Sequence, residues 1–310
     1  MRAAVVTSFD SPPEYAEWPE PAASSDDSLV VDVLAAALHP RVRSQADGSH
    51  YTSTGDLPFV PGIDAVVRDA SGHLRYALLH ESELGTFAER TVVPREATVP
   101  LPDDIDVARV AAAMNPVMSS WVALRRRIAF QPDSRVLVLG ATGNAGRLAL
   151  QVARTLGASE VIAAGRDAHR TASLLGHGAD TTIGFDELSR AADVDVVLDY
   201  VWGAPTERAL VDVVTARSDR SRPLHWVEIG SVAGPTASIP SAAFRAARLD
   251  LVGSGIGSVS AAEFGAELPA IAEAVSRGTF DVEARPVHLS DLTAVWAEDP
   301  GAAGRVVFVP

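Results

Sequence analysis

The sequence contains no cysteine. That excludes disulfides, thiolate catalysis and any zinc site built on cysteine sulfur. Lysine is absent too, so all 26 basic residues are arginine. Without lysine there is no GK[ST] phosphate loop, no Schiff-base nucleophile and no Tyr-x-x-x-Lys catalytic pair. Positive charge is in deficit: the formal net charge of −14 leaves no basic excess to displace counterions, so no nucleic-acid partner is expected. No run approaches the ~20 apolar residues that span a bilayer, so no membrane partner is expected either. Residues 1–7 read as a strand and lack the apolar region of a signal peptide, which makes a cytoplasmic location the expectation. The histidines His50, His169, His177 and His288 show no metal-ligand spacing, and no metal site is expected.

What remains is a chain of 310 residues, 47% apolar, long enough for one large domain or two ordinary ones. The first hundred residues read as β-rich. Short apolar runs at 3–6, 29–34, 65–67, 76–79 and 91–93 alternate with Pro, Gly and Asp clusters, a spacing that predicts a partly open barrel. Pro100 to Asp104 break the pattern. Beyond Asp106 the texture changes to alternating helices and strands. Helices are expected at 107–114, 119–127, 168–175, 207–217 and 261–277. Strands are expected at 160–164, 194–200, 225–229 and 249–253. This alternation predicts an α/β fold with a doubly wound parallel sheet. A closing strand at 305–309 is not needed by that sheet and is expected to return to the N-terminal barrel. The division expected is 1–105 with 278–310, and 106–277.

The apolar run 135–139 leads into Gly140-Ala141-Thr142-Gly143-Asn144-Ala145-Gly146, followed by Leu148, Val152 and Leu156 on one helical face. Strand, glycine turn and helix in this order predict a dinucleotide site. Gly140 permits the turn, Gly143 admits a pyrophosphate to the backbone, and Gly146 allows the helix to pack closely. The second strand ends at Ala163-Ala164-Gly165-Arg166-Asp167. A carboxylate there reads the ribose hydroxyls of NAD; here Gly165 leaves room and Arg166 offers a fork for a 2′-phosphate. Arg170, one turn on, is a second candidate contact, and Asp167 suits a helix N-cap. The pattern favours NADP(H). As alternatives, both arginines are solvated surface residues. Three later strand ends are further cofactor candidates: Tyr200 to Trp202, Gly230-Ser231, and Gly253 to Ile256 with Gly255 at its centre.

Several strings stand in a fixed order: Ala36-Ala37-Leu38-His39-Pro40, Leu57-Pro58-Phe59-Val60-Pro61-Gly62-Ile63-Asp64, Gly85-Thr86-Phe87-Ala88-Glu89, the glycine loop, residues 175–180 and Gly304-Arg305-Val306-Val307. In that order they resemble the zinc-free quinone oxidoreductase branch of the medium-chain dehydrogenase/reductase superfamily, along nearly the whole chain. The resemblance implies a GroES-like domain beside a Rossmann domain, NADPH as cofactor, a quinone or α,β-unsaturated carbonyl substrate in the cleft between domains, and a homodimer paired through residues 249–253. Isoleucine replaces the histidine of the zinc enzymes' Gly-His-Glu segment, and their cysteines are missing. The branch's Asn-Pro-x-Asp and Gly-x-Tyr are altered to His39-Pro40-Arg41-Val42 and Gly48-Ser49-His50-Tyr51.

Without zinc, the acceptor oxygen needs hydrogen-bond donors or a solvent proton. His39, Tyr51 and Asn115 are the candidates for contacting substrate or nicotinamide. Against this, His39 could fix the turn before Pro40, Tyr51 could pack half-buried, and Asn115 could serve as a turn residue before Pro116. The reading reached is an NADPH-dependent reductase of quinones or enones. The alternatives are a biosynthetic enoyl or carbonyl reductase, or a non-catalytic NADPH-binding sensor.

Overall fold

Residues 1–23, 25–79, 82–298 and 304–310 are described by the computed structural model, in which the chain divides into two units. Met1–Asn115 with Leu268–Pro310 form the first, and Pro116–Glu267 the second. In the first, β1 (Arg2–Val5) and β2 (Glu14–Glu17) pair antiparallel. There follow β3 (Ser28–Ala37), helix α1 (Pro40–Ala46), β4 (Asp64–Arg68), β5 (Leu74–Leu78), β6 (Arg90–Pro94) and β7 (Thr98–Pro100). The apolar runs foretold β1, β3, β4, β5 and β6. They did not reveal β2, whose two glutamates are exposed and whose register comes from β1.

The long strand β3 organises this unit. Its start pairs with β6 through Ser28–Pro94 to Asp32–Arg90, and its middle pairs with β4. Buried Val31, Val33, Val60, Ile63, Val67 and Phe87 form the core beneath it.

Next comes α2 (Val107–Val122), which runs on as a π-helical turn at Ala123–Arg127. Two helices were expected here, separated at Pro116. Pro116 instead sits inside one continuous helix. It removes a single backbone donor, and helices tolerate that loss where the surrounding packing holds them. Asn115 is therefore a mid-helix residue and not part of a turn.

The second unit then alternates β8 (Arg135–Leu139), α3 (Asn144–Thr155), β9 (Glu160–Gly165), α4 (Ala168–Ala172), β10 (Thr181–Gly184), β11 (Val196–Asp199), α5 (Gly203–Ala216), β12 (Leu224–Glu228), α6 (Ala243–Ala246) and β13 (Leu249–Gly253). The six strands are parallel, in the order β10-β9-β8-β11-β12-β13. Their order reverses direction between β8 and β11, so the loops on either side diverge and leave a crevice at the carboxyl edge. Strand β10 escaped the sequence reading because its threonines are only half-buried.

After α7 (Ala261–Ser276) the chain adds β14 (Ala284–His288), α8 (Leu292–Trp296) and β15 (Arg305–Val309). As expected, β15 returns to the N-terminal sheet: Val307 faces Ala37 and Phe308 faces Ala36, antiparallel. The resulting seven-stranded mixed sheet has the order β14-β15-β3-β4-β5-β7, with β6 also on β3. Phe308 packs edge-on to Phe87, ring centroids 5.0 Å apart. The chain thus combines a GroES-like unit with a Rossmann unit. Both unit breaks lie inside helices, α2 and α7, whereas the sequence division sets them at the helices' outer ends.

Candidate functional site

The glycine loop joins β8 to α3. Gly140 has a φ of +80°, a left-handed turn open to glycine. Gly143 is the N-cap of α3, so Thr142 and Gly143 stand at the mouth of the helix, with Asn144, Ala145 and Gly146 in its first turn. A Cβ on Gly146 would lie 2.3 Å from the Gly140 carbonyl oxygen and 2.8 Å from Ala141 Cα. Helix and loop can approach this closely only without a side chain. The free N–H groups of the first turn and the helix dipole then favour a bound pyrophosphate.

At the end of β9, Gly165 does more than leave room. A Cβ there would meet Thr171 Oγ1 at 2.2 Å and Thr142 Cγ2 at 3.0 Å, so the space is already filled. Thr171 is held by donating to the Asp167 carbonyl at 2.6 Å. An acidic residue, as NAD enzymes use, cannot be placed at 165 in this packing. Arg166 and Arg170 are exposed, and Arg170 Nη2 reaches the Thr142 carbonyl at 3.4 Å. Asp167 caps α4 by accepting from the Arg170 N–H at 3.0 Å, and that bond holds its carboxyl below the usual range. Donors and cations therefore converge on the strand end, and the residues present fit an adenosine ribose carrying a 2′-phosphate.

Between the strands the remaining candidates converge on the same edge. Tyr200 follows β11, with its Cβ 3.5 Å from where a Gly140 Cβ would be. Gly230 lies beside the Tyr200 carbonyl, 3.3 Å from where its own Cβ would be, and Ser231 follows it. Tyr200 is buried; its hydroxyl pairs with Ser119 Oγ at 3.1 Å, and burial pushes its pKa up to about 12. It is a neutral phenol across the physiological range. Gly255 follows Ser254, whose N–H donates to the Glu228 carbonyl at the end of β12 at 2.7 Å, and its own N–H is taken by Ser258 Oγ at 2.9 Å in a local turn.

The residue that holds this edge is one the sequence reading missed. Asp199, fully buried, accepts from Val201 N (2.8 Å), Trp202 N (3.1 Å), Thr206 Oγ1 (2.7 Å) and Trp226 Nε1 (3.0 Å). It fixes Trp202 at a φ of +54°, a left-handed conformation that is strained for a tryptophan. Its signal was a lone carboxylate closing an apolar strand. Glu228 faces it across the β11–β12 pair, and burial together with the Asp199 charge raises the Glu228 pKa.

In the first unit, His39 is 3% exposed and sits in a closed network. Arg305 Nη1 donates to its Nδ1 at 2.9 Å, which makes Nδ1 an acceptor and leaves the ring proton on Nε2. Nε2–H then donates to Asp64 Oδ1 at 2.8 Å, while Asp64 Oδ2 accepts from Tyr76 OH at 2.8 Å. Both ring nitrogens of His39 are thus committed. Asp64 ties the His39 ring to the Tyr76 hydroxyl and is a structural carboxylate. Burial lowers the His39 pKa more than Asp64 raises it, so the ring is neutral. Burial also brings the Arg305 pKa down to about 10, still protonated at neutral pH.

The sign of the linkage follows from the lowered His39 pKa. Its contribution is complete above the unfolded value near 6.5 and is lost as pH falls through the folded value. Unfolding titrations from about pH 7.5 to 5.5 are expected to show stability falling, and His39→Asn is expected to flatten that slope; an unchanged slope would remove His39 as its source.

Tyr51 is 74% exposed and stacks on His50, ring centroids 4.3 Å apart. Asn115 is half-buried on α2, one helical turn before Ser119. Among the described residues, no group of three or more His, Asp or Glu is placed to hold a metal ion. No helix among them is long and apolar enough to cross a membrane.

No family model matches the chain. It is 29% identical, over the whole length of both chains, to a probable NADPH-dependent quinone reductase of Emericella nidulans. It is 27% identical to the chloroplastic NADPH-dependent alkenal/one oxidoreductase of Arabidopsis thaliana, covering 57% of this chain and 50% of that protein. The quinone oxidoreductase of Thermus thermophilus, solved also in complex with NADPH, superposes over all of both chains with a TM-score of 0.84 at 26% identity. In the β3–β15 pairing, in the reversed strand order around the glycine loop and in these likenesses, the chain is similar to the quinone oxidoreductases.

Proposed function

We infer that the protein is an NADPH-dependent oxidoreductase that transfers hydride to a quinone or an α,β-unsaturated carbonyl compound. The observation that carries this is the filled space at Gly165 beside Arg166, next to the Gly140–Gly146 turn. Bound NADPH supplies the hydride. The backbone at Gly143 to Gly146 holds the pyrophosphate, and Arg166 with Arg170 holds the 2′-phosphate. Tyr200, Gly230 and Ser231 wall the carboxyl edge of the sheet, and Gly255 borders it. The relatives named for NADPH-dependent quinone and enone reduction support this assignment. No zinc takes part, since the chain lacks the cysteine that such a site uses. Tyr51 and Asn115 are the contacts offered to the acceptor. His39 enters as a positioning residue, because its ring is already spent on Arg305 and Asp64.

The functional division is 1–105 with 278–310 as the substrate domain and 106–277 as the cofactor domain. Strand β13 pairs only with β12 among the described strands, and its free edge is the surface through which two copies form a homodimer. The protein acts in the cytoplasm.

Oxidation of NADPH against a panel of quinones and enones tests the activity. Tight NADPH binding without turnover of any acceptor would leave only a binding protein. Arg166→Ala tests the cofactor. Loss of charge-assisted bonds to a phosphate is expected to weaken NADPH by about 10–100-fold and leave NADH unchanged. An unaltered NADPH/NADH ratio would show that Arg166 does not read the phosphate.

A further inference from the structure

We propose that Thr171 is a specificity-determining residue, whose side chain on α4 bars position 165 to the carboxylate that would select NADH. The proposal rests on the NADPH reading and assigns its negative half, the rejection of the other cofactor, to one side chain.

A dinucleotide fold carries its ribose-reading acid at the end of the second strand, about 20 residues beyond the glycine loop. In this chain that place is Gly165, the last residue of β9. Its backbone does not require glycine, because its φ is not left-handed. What bars a side chain is the surroundings. At Gly146 the obstacles are backbone atoms; at Gly165 all three nearest atoms belong to side chains. A Cβ there would lie 3.4 Å from Thr171 Cβ, an ordinary contact, and 3.0 Å from Thr142 Cγ2, a methyl that can give by a few tenths of an ångström. The remaining atom, Thr171 Oγ1 at 2.2 Å, is the one that forbids it.

That oxygen is held in place. Thr171 is 3% exposed, and its hydroxyl donates to the Asp167 carbonyl at 2.6 Å. Turning it aside breaks this bond and leaves a buried donor unmet. The Asp167 carbonyl also accepts from the Thr171 N–H at 2.8 Å, so it stays paired when the hydroxyl is deleted. Asp167 thus sets both neighbours. Its carboxyl caps the Arg170 N–H, its carbonyl fixes Thr171, and one turn of helix offers a cation while closing the place of an acid. Specificity built on a clash needs such a repulsive element beside the attractive one.

Fluorescence titration of the full chain with NADPH and with NADH tests the assignment. Gly165→Asp alone is expected to weaken NADPH by about 100-fold and to gain nothing for NADH, since strand end and helix are forced apart. Adding Thr171→Ala removes the obstructing oxygen. It is expected to tighten NADH about tenfold over the single variant, until NADH binds better than NADPH. Adding Thr171→Val instead keeps an atom in the contested space, held to one preferred rotamer in a helix, and is expected to leave NADH weak. A hydroxyl acting only through its bond to Asp167 would make alanine and valine equivalent. If Gly165→Asp does not fold, recovery by alanine and not by valine, read by circular dichroism, supports the same obstruction. NADH tightened by Gly165→Asp alone, or equally by both double variants, or by neither, overturns the proposal. Wild-type protein that binds NADH as tightly as NADPH strikes the NADPH reading instead, whichever way the double variants differ.

Discussion

Asp64→Ala is expected to destabilise the folded protein by about 3–5 kcal/mol, the usual cost of removing one partner from a buried charge network. Asp64 is 1% exposed and Arg305 is 5% exposed. His39 lies between them, accepting from Arg305 at 2.9 Å and donating to Asp64 at 2.8 Å. Remove the carboxylate, and a guanidinium remains in the core whose partners among the described residues are a neutral imidazole and the Leu38 carbonyl, 3.2 Å away. Tyr76 loses its acceptor at the same time. Urea unfolding monitored by circular dichroism measures the effect. The companion variant Arg305→Met with Asp64→Leu takes out both charges, and is expected to recover a large part of the loss because no uncompensated ion is left. A single-variant cost below about 1 kcal/mol would place the network among ordinary surface pairs.

Gly146→Val is expected to lower NADPH affinity by about 100-fold or more, equivalent to about 2.7 kcal/mol. The reason is geometric. The first atom of any side chain would fall 2.3 Å from the Gly140 carbonyl oxygen, which is backbone and cannot rotate away. The loop must move off the helix, and the N–H groups meant for the pyrophosphate move with it. Gly143→Ala is the milder comparison: its Cβ would meet the same oxygen at 3.4 Å, an ordinary contact, so loop and helix keep their packing and the smaller loss expected comes from the side chain against the pyrophosphate alone. Fluorescence titration with NADPH on folded samples separates the two. Equal losses at 146 and 143 would refute the close-packing argument.

These two variants also mark what could be read from the sequence. The glycine loop was legible because its constraints are local: a strand, a turn and a helix within a dozen residues, each with its own pattern. The capping role of Asp167 and the return of β15 were legible for similar reasons, in spacing and in a strand left without a use. Strand β2 was not, because its polar pattern carries no burial signal. Nor did Pro116 behave as a break. Long-range packing overrode the local preference, and Asn115 moved from a turn to a helix.

The side-chain networks were hidden almost completely. Nothing in the order of the chain ties His39 to Arg305, and their separation can be crossed only once the sheet exists. The same holds for Asp199, whose donors come from its own turn, from α5 and from β12. Gly165 was read as space left open, yet it is space taken by Thr171. In each case the sequence supplied the residue, and tertiary packing decided what it meets.

The pairing of β15 with β3 has a consequence for the making of the protein. Residues 116–267 form a continuous unit that can fold as it emerges from the ribosome. The first unit cannot finish: β3 must wait for Val307 and Phe308, which follow that whole second unit in the chain. Until then one margin of its sheet lies unpaired, and Asp64 and His39 lack their arginine. The unit begun before residues 116–267 is therefore closed only after them, and its vulnerable period spans the synthesis of all that lies between.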